Sequence, residues 1–148
     1  MKVEVVSAVR APVPPARLRS IFRKATQLPE VGARLPAGSA TMAVRLTDDE
    51  ELRRLNRDFS GHDAVTDVLS FQGDDGHLGD LAISWPAVVR QAKIHRHSAE
   101  TELALLCVHG LLHLLGWDHA TAAQRREMTR ITVAALAESG IALAPGRL

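Results

Sequence analysis

The sequence predicts a single α/β domain, residues 1–148, in which a four-stranded mixed sheet packs against about five helices, one of them central and buried. Three observations carry this prediction. Segments rich in β-branched residues alternate with segments of helical periodicity, without a strict strand–helix–strand order. With 148 residues, 46% of them hydrophobic and 24% charged, the chain suffices for one well-buried core but not for two ordinary domains. Residues 103–115 are apolar nearly all round, so their helix belongs in the core.

Charge and cysteine content restrict the function classes. The net charge of +1 and the pI near 8.1 give no strong global field, so nucleic-acid binding would depend on local clusters of arginine. The single cysteine, Cys107, excludes a disulfide framework and is typical of a reducing compartment. No signal-peptide pattern opens the chain, and the longest apolar stretch is too short for a membrane span. We therefore expect a cytoplasmic protein with no membrane partner.

The first half of the chain predicts two strands and two helices. Residues 1–9 carry a run of valines typical of a strand that ends before Pro12. Pro14 and Pro15 then start a helix with an apolar face over residues 18–25 and a basic outer surface. The proline- and glycine-rich segment 28–39 is expected to be a loop, and residues 40–46 alternate as a second strand.

The second predicted helix begins at a capping box. Thr47 would cap its first turn, and Glu50 would reach back to the cap. Its buried stripe is predicted to comprise Leu52, Leu55 and Phe59. The pattern fails over residues 60–65, which predict a loop.

The third and fourth predicted strands flank a turn at residues 73–76. Residues 66–72, TDVLSFQ, are apolar on both pleat faces, which predicts an interior strand. Residues 78–85 predict the fourth strand, and Pro86 starts the helix that follows it.

Two further helices complete the prediction. Ser98 is the expected N-cap of the central helix, which runs to Leu115. Thr121 and Gln124 form a capping box for the last helix, which ends near Gly140. The tail after it, residues 144–148, is expected to be loose.

Three histidines lie at the end of the central helix, in the segment HGLLHLLGWDH, residues 109–119. Four helical residues turn through about 400°, so His109 and His113 share one face and can bind one ion. On a continuing helix His119 would point about 240° away from this pair. We therefore expect Gly116 to end the helix in a left-handed conformation and to let the chain return His119 to its partners.

Three imidazoles with an open fourth position are typical of a catalytic zinc site. Three unrelated buried histidines are the alternative, but their ring nitrogens would lack partners in apolar surroundings. Cys107 lies about 200° round the helix from His109 and is not expected to be a ligand. We predict one zinc ion per chain, held by His109, His113 and His119.

The same histidine spacing occurs in metzincin peptidases, where a glutamate after the first histidine is the general base. In this chain that position is Gly110, so peptide hydrolysis is disfavoured. Zinc can lower the pKa of bound water to about 7 and neutralise charge that develops on oxygen. Phosphodiester cleavage is compatible with such a site.

Three segments together resemble one bacterial family. HGLLHLLGWDH, LNRDFSGHDAVTDVLSF (residues 55–71) and GDLAIS (residues 79–84) occur in the order found in the YbeY family of ribosomal RNA maturation factors. The resemblance implies a zinc-dependent, single-strand-specific endoribonuclease that matures the 3′ end of small-subunit ribosomal RNA and acts in ribosome quality control. It also implies an α/β fold with a groove around the metal, and ribosomal RNA and the small subunit or its proteins as partners.

The resemblance assigns roles position by position. The family's metal triad falls on the three histidines, of which His109 is also a candidate catalytic residue. The family's Thr-Asp-Val-Leu-Ser-Phe segment matches residues 66–71, where Thr66 and Ser70 are candidate substrate-binding residues. Its Gly-Asp matches Gly79 and Asp80, and Asp80 is a candidate catalytic carboxylate. A purely structural role, as core strands with a tight turn, is the alternative for both segments.

The chain departs from the family pattern at one place. Where the family has an arginine and, two residues later, a lysine, this chain has Ser60 and His62. An arginine fork suits a scissile phosphate, and serine cannot supply that charge. Arg57 is predicted to replace it as the catalytic cation, with His62 as the alternative, and Arg53 and Arg54 are expected to bind RNA. Ser60 and His62 are also expected to contact the substrate. For the arginines, the alternative is that they simply form a solvated helix face.

Two function classes follow. The first is a zinc-dependent endoribonuclease, and the second is a non-catalytic ribosome-assembly factor that zinc stabilises. A zincin-like peptidase is a distant third.

Overall fold

The structure, a computed structural model, describes residues 1–38 and 40–148. Its elements are β1 (Lys2–Ser7), α1 (Pro15–Ala25), α2 (Pro29–Gly32), β2 (Thr41–Thr47), α3 (Asp49–Ser60), β3 (Val68–Gln72), β4 (His77–Ser84), α4 (Trp85–His95), α5 (Ala99–Leu114) and α6 (Ala122–Ala137). The predicted α/β class and the four-stranded sheet are confirmed. The described residues form six helices where about five were predicted. The additional one is α2, a single turn inside the segment 28–39 that was expected to be a loop. Ser39, the last residue of that segment, lies outside the described residues.

The sheet is mixed, with strand order β1-β2-β4-β3. The first three strands are parallel, with Val44 beside Leu81, and β3 runs antiparallel to β4, with Ser70 beside Leu81. The prediction that β3 is an interior strand is therefore wrong, because β3 lies at the edge. Helices α5 and α3 both contact β3, but none of its residues is fully buried. Apolar residues on both pleat faces therefore carry no information about lateral neighbours in the sheet.

Helix α5 packs on one face of the sheet and α3 on the other. On the α5 side, a Cβ atom placed on Gly110 would lie 2.7 Å from Leu81 Cδ2. On the α3 side, the rings of Phe59 and Phe71 meet edge to face at a centroid distance of 5.6 Å. The central helix is the most buried element, as predicted, and α1 and α6 pack beside it.

Helix α3 differs from its predicted form at both ends. Its N-cap is Asp48, whose side chain accepts a hydrogen bond from the Glu51 amide at 2.9 Å, so the capping box predicted at Thr47 and Glu50 is wrong. Near the other end Phe59 is 69% exposed, and Asn56 is buried in its place. Asn56 Nδ2 donates to the carbonyl of Ala64 at 3.1 Å, which explains why a polar residue occupies the buried stripe.

Other local predictions are confirmed. Ser98 accepts from the Thr101 amide at the start of α5, and Thr121 and Gln124 form the expected capping box of α6. The C-terminal tail is not loose as expected, because Arg147 forms an ion pair with the buried carboxylate of Glu102. No helix of the described residues is long and apolar enough to cross a membrane.

Candidate metal centre

The side chains of His109, His113 and His119 converge on one point. One nitrogen from each ring lies within 4.8 Å of the others, and the Nε2 atoms of His109 and His113 are 3.0 Å apart. His109 and His113 are half-buried, whereas His119 is exposed. A set of three close imidazole nitrogens fits a zinc ion, which prefers nitrogen ligands of this kind.

The turn after α5 brings the third histidine back. Gly116 has φ +96°, the left-handed conformation that the spacing predicted, and this residue ends the helix. The Trp117 amide donates to the Leu112 carbonyl at 3.0 Å, which closes the turn and buries the indole ring. The chain then reverses, and the ring centroid of His119 lies 5.6 Å from that of His109.

Two side chains from outside α5 hold this turn in place. Gln72 Nε2, from β3, donates to the carbonyls of His113 and Leu114, each at 3.4 Å. Arg34 Nη1 donates to the Leu115 carbonyl at 3.4 Å, and its guanidinium carbon lies 3.6 Å from the centroid of the Trp117 ring. These contacts satisfy carbonyl groups that every helix end leaves free. They also fix the segment that separates the second ligand from the third.

The imidazoles are suited to metal binding near neutral pH. Burial, together with the neighbouring rings of His113 and His119, lowers the pKa of His109 to about 4. Burial likewise lowers the pKa of His113. Both rings are therefore neutral at pH 7, which is the form that binds a metal ion. Burial raises the pKa of the Cys107 thiol to about 12, so this cysteine offers no thiolate.

A cavity of about 460 Å³ opens directly over the three imidazoles. Its other walls come from β3 and the residue before it, and they comprise Asp67, Val68, Leu69, Ser70 and Gln72. Asp67 is a carboxylate that the sequence reasoning passed over, although it lies between the candidates Thr66 and Ser70. Gln91 Nε2 donates to Asp67 Oδ2 at 3.1 Å and orients the carboxylate beside the triad.

Gly110 packs closely on β4 at the position where a peptidase carries its carboxylate. A Cβ atom at this position would lie 2.7 Å from Leu81 Cδ2 and 2.8 Å from Leu81 Cδ1, closer than carbon atoms normally approach. A glutamate here would point into the sheet and not toward the imidazoles. The packing of α5 on β4 thus agrees with the sequence argument against peptide hydrolysis.

The predicted substrate residues are divided between the two sides of the sheet. Ser70 lines the cavity over the triad. The arginines and Ser60 lie on α3, which packs on the opposite face, and His62 follows that helix in an exposed loop. Each guanidinium has a carboxylate partner: Arg53 with Asp63 at 2.7 Å, Arg54 with Glu51 at 3.7 Å and Arg57 with Asp58 at 3.1 Å. Thr66 is half-buried beside Asp67. Their roles in RNA binding stay predictions.

Asp80 also lies on the far side of β4. Gly79 faces α5, since its Cβ position would lie 2.7 Å from Leu114 Cδ2, and Leu81 faces α5 as well. Side chains alternate along a strand, so Asp80 points to the opposite face, where its Oδ1 lies 3.0 Å from His77 Nε2. The catalytic role expected of Asp80 stays a prediction, and the structure does not bring this carboxylate to the cavity of the triad.

A buried carboxylate on the ligand helix holds the C-terminal tail beside the metal centre. Glu102 is fully buried and receives hydrogen bonds from Arg147 Nε at 3.0 Å and Arg147 Nη2 at 2.7 Å. His97 Nε2 lies 2.7 Å from the same carboxylate, and His97 Nδ1 accepts from the Ala144 amide. Arg147 and Leu148 then line a small cavity of about 160 Å³ with Asp67 and His109. No sequence signal marks this arrangement, because Glu102 and Arg147 are far apart along the chain.

Comparisons with known proteins agree with the resemblance of the motifs. A family model described as "Endoribonuclease YbeY" matches residues 7–140. The "Endoribonuclease YbeY" of Gloeobacter violaceus is 48% identical over 126 residues, which cover 78% of this chain and 62% of that protein. That of Roseiflexus sp. (strain RS-1) is 43% identical over 129 residues, which cover 79% of this chain and 78% of that protein.

The matches cover only part of some relatives, and a matching solved structure has low sequence identity to this chain. The chain spans less than two thirds of the length of several curated relatives, including those of Gloeobacter violaceus and Roseiflexus castenholzii. The solution structure of TM1509 from Thermotoga maritima matches with a TM-score of 0.62 at 22% identity, and the match covers 99% of each chain. At this identity the structural match supports the fold alone.

Proposed function

Because the chain belongs to the YbeY endoribonuclease family, we propose that it is a zinc-dependent endoribonuclease that cleaves single-stranded RNA at the centre formed by His109, His113 and His119. The observation that carries the proposal is the opening of a cavity of about 460 Å³ directly over three converging imidazoles. A structural metal site would be closed by a fourth protein ligand, and here solvent reaches the three histidines instead.

The residues around the cavity have separate tasks in this proposal. The three histidines would hold the zinc ion, which would supply Lewis acidity toward a phosphate oxygen and toward water. Asp67, oriented by Gln91, takes a proton from the attacking water as the water oxygen bonds to phosphorus; the P–O bond to the leaving ribose oxygen breaks, and the proton passes to that oxygen. The Ser70 hydroxyl lies on the same wall and binds a phosphate oxygen of the substrate. Gln72 positions the carbonyl end of the ligand helix.

The biological setting is a proposal that rests on the family. We propose that the substrate is ribosomal RNA, that cleavage matures the 3′ end of the small-subunit RNA, and that the protein acts in ribosome quality control in the cytoplasm. The small subunit or its proteins would be its partners. RNA sequencing of the small-subunit 3′ end in cells that lack the protein should show unprocessed precursor, which the parent gene removes and a His109→Ala variant does not.

A non-catalytic, zinc-stabilised assembly factor is the second candidate. It is favoured by Ser60, which stands where the family has an arginine, and by the ion pairs that occupy the arginines of α3. Both functions require the metal, but only the first requires cleavage.

A cleavage assay with metal analysis separates the two candidates. We expect labelled single-stranded RNA to be cut by the purified protein, spared after chelation and cut again when zinc is restored. A double variant, His109→Ala with His119→Ala, should lose both the metal and the cleavage, while His95→Ala, a histidine outside the triad, should keep both. Near-stoichiometric metal in the double variant would refute the site. Intact RNA in the presence of one zinc ion per chain would favour the assembly factor.

A further inference from the structure

A second cavity lies on the other side of the metal ligands, between α5, α6 and the C-terminal tail. It has a volume of about 210 Å³ and borders both His109 and His119. Leu105, Met128 and Leu148 give it an apolar lining. The proposed mechanism uses none of these three side chains.

Arg125 lines this cavity together with His109 and His119, so its positive charge lies close to the candidate metal centre. Its Nη1 donates to the carbonyls of His119 and Ala120, each at 3.4 Å, so the guanidinium lies next to the backbone of the third ligand. These contacts to neutral carbonyls are long and leave the positive charge uncompensated. Within the described ranges 1–38 and 40–148, no carboxylate lies within ion-pair distance of Arg125.

The arginines of α3 and Arg147 all form ion pairs with carboxylates. Those of α3 contact Asp63, Glu51 and Asp58. Arg147, which also lies near the triad, is bound through two nitrogens to Glu102. A phosphate would have to displace a carboxylate from any of these groups, whereas Arg125 would only exchange weak contacts to carbonyl groups.

The basic surface continues from Arg125 along α6. A broader hollow of about 570 Å³ is lined by Arg125, Arg126 and Thr129, among others, and shares Leu148 with the apolar cavity. A strand of phosphates could follow this surface toward the metal. A single-stranded nucleic acid is the ligand that combines a negatively charged backbone with flat apolar groups able to leave a stack.

We propose that Arg125 binds a phosphate of single-stranded RNA next to the scissile bond, and that the apolar cavity beside it receives a nucleobase. The proposal rests on the proposed function, of which it names the substrate-binding side. It places the RNA along α6 and the ligand turn, and not along the arginines of α3. Arg125, on α6, would thereby supply the positive charge that Ser60, on α3, cannot provide.

The phosphate contact is tested by binding of a short labelled single-stranded RNA, measured by fluorescence anisotropy at several salt concentrations. Arg125→Ala should weaken binding roughly tenfold and reduce the slope of log K against log salt by about one. Arg125→Lys keeps the charge but not the planar fork, so it should recover part of the affinity. The control is Arg23→Ala, an exposed arginine of α1 at the β1 side of the sheet, which should bind as the parent does.

The base contact is tested by filling the cavity without changing its charge. Thr129→Phe should weaken binding of the RNA roughly tenfold, since stacking one base contributes on that order. The same variant should bind an abasic oligonucleotide of equal length as well as the parent does. Thr129→Leu, a smaller change, provides the test if the phenylalanine variant has a lowered melting temperature.

The outcomes are separable from failure of the proposed function. If the parent binds and cleaves RNA but Arg125→Ala and Thr129→Phe, each with parental zinc content, bind like the parent, the α6 surface is wrong and the endoribonuclease proposal stands. Loss of affinity in Arg57→Ala alone would assign the RNA to α3 instead. A filled cavity that weakens abasic and normal RNA equally would overturn the base site. A parent that binds no RNA would overturn both proposals.

Discussion

Glu102 is the residue on which the C-terminal tail depends. Its carboxylate is fully buried in the ligand helix, and the partners that compensate its charge come from two other segments, Arg147 in the tail and His97 before α5. Because His97 Nδ1 accepts a hydrogen bond from the Ala144 amide, the proton of a neutral ring sits on Nε2 and is donated to Glu102. One carboxylate therefore joins three segments next to the metal centre.

The charge state of Glu102 should make stability depend on acid. Burial by itself raises the pKa of Glu102, but hydrogen bonds from Arg147 and His97 outweigh burial, and the pKa in the folded protein lies below the ordinary value of 4.5. A carboxyl group with a lowered pKa stabilises the fold above its unfolded-state pKa, and that contribution disappears as the pH falls through the folded-state value. The parent should therefore lose this part of its stability below about pH 4.5.

Urea denaturation of Glu102→Gln at two pH values measures this effect. At pH 7 the variant should be less stable by roughly 1–3 kcal/mol, because the partly buried guanidinium of Arg147 loses its countercharge. Well below pH 4 the difference should shrink, since the parent carboxylate is then protonated too. Glu100→Gln is the matched control on α5, because it breaks a partly exposed ion pair with Arg17 of α1 and should cost less than about 1 kcal/mol. A constant difference at both pH values would contradict the assignment.

At the scale of elements, the turn that follows α5 determines whether His119 lies close enough to His109 and His113 to bind the same ion. The helix alone provides His109 and His113, and the third ligand arrives only because Gly116 reverses the chain and Trp117 anchors it. The indole Nε1 is buried without a hydrogen-bond partner in the described part of the chain. The guanidinium of Arg34 packs on the face of the same ring, a cation–π contact that stabilises the position of the indole.

Removal of Arg34 should loosen the turn and weaken metal binding. Groups that orient metal ligands without touching the metal typically contribute 10–100-fold to affinity, so Arg34→Ala should raise the zinc Kd by roughly that factor. Arg34→Lys keeps the charge but loses the flat stack on Trp117, so it should recover only part of the affinity. Competition with a chromogenic chelator gives the Kd directly.

A matched control separates positioning from general stability. Arg130→Ala removes an exposed arginine of α6 that pairs with Glu30, and it should leave the zinc Kd unchanged. If Arg34→Ala lowered the melting temperature but bound zinc as tightly as the parent, Arg34 would be a structural residue with no part in holding His119.

At the scale of the whole molecule, an ion bound at the candidate metal centre would cross-link the core and the surface. Helix α5 is buried among the sheet, α1 and α6, whereas His119 lies in an exposed segment. An ion held by all three histidines binds only the folded chain, because the unfolded chain has no preformed site. Metal binding and folding should therefore be coupled.

Calorimetry with and without chelator measures this coupling. Zinc at a hundredfold excess over its Kd stabilises the fold by about 2.7 kcal/mol, and a domain of this size gains about 2–4 °C per kcal/mol. Chelation should therefore lower the Tm by roughly 5–10 °C. The double variant His109→Ala with His119→Ala should not respond to the chelator. An equal Tm of the parent with and without metal would show that the ion does not stabilise the fold.

The sequence by itself determined the features whose causes are local. The spacing of His109 and His113, the breaker at Gly116 and the caps at Ser98 and Thr121 depend on residues within one or two helical turns, so pattern and stereochemistry suffice to predict them. The apolar stretch 103–115 likewise predicted the central helix, because a segment that is apolar all round can only be buried. The convergence of the three histidines and the fold class could be predicted for these reasons.

Only the tertiary structure decided which segments meet around those ligands. Whether β3 lies inside the sheet or at its edge, and whether Phe59 is covered, depends on neighbours distant along the chain, which hydrophobic periodicity does not specify. The same holds for the carboxylate of Asp67 beside the triad and for the contact of Arg125 with the backbone carbonyl of His119. Contacts between distant segments form only when the whole chain packs, and for this reason the convergence of the three histidines could be predicted from the sequence and their surroundings could not.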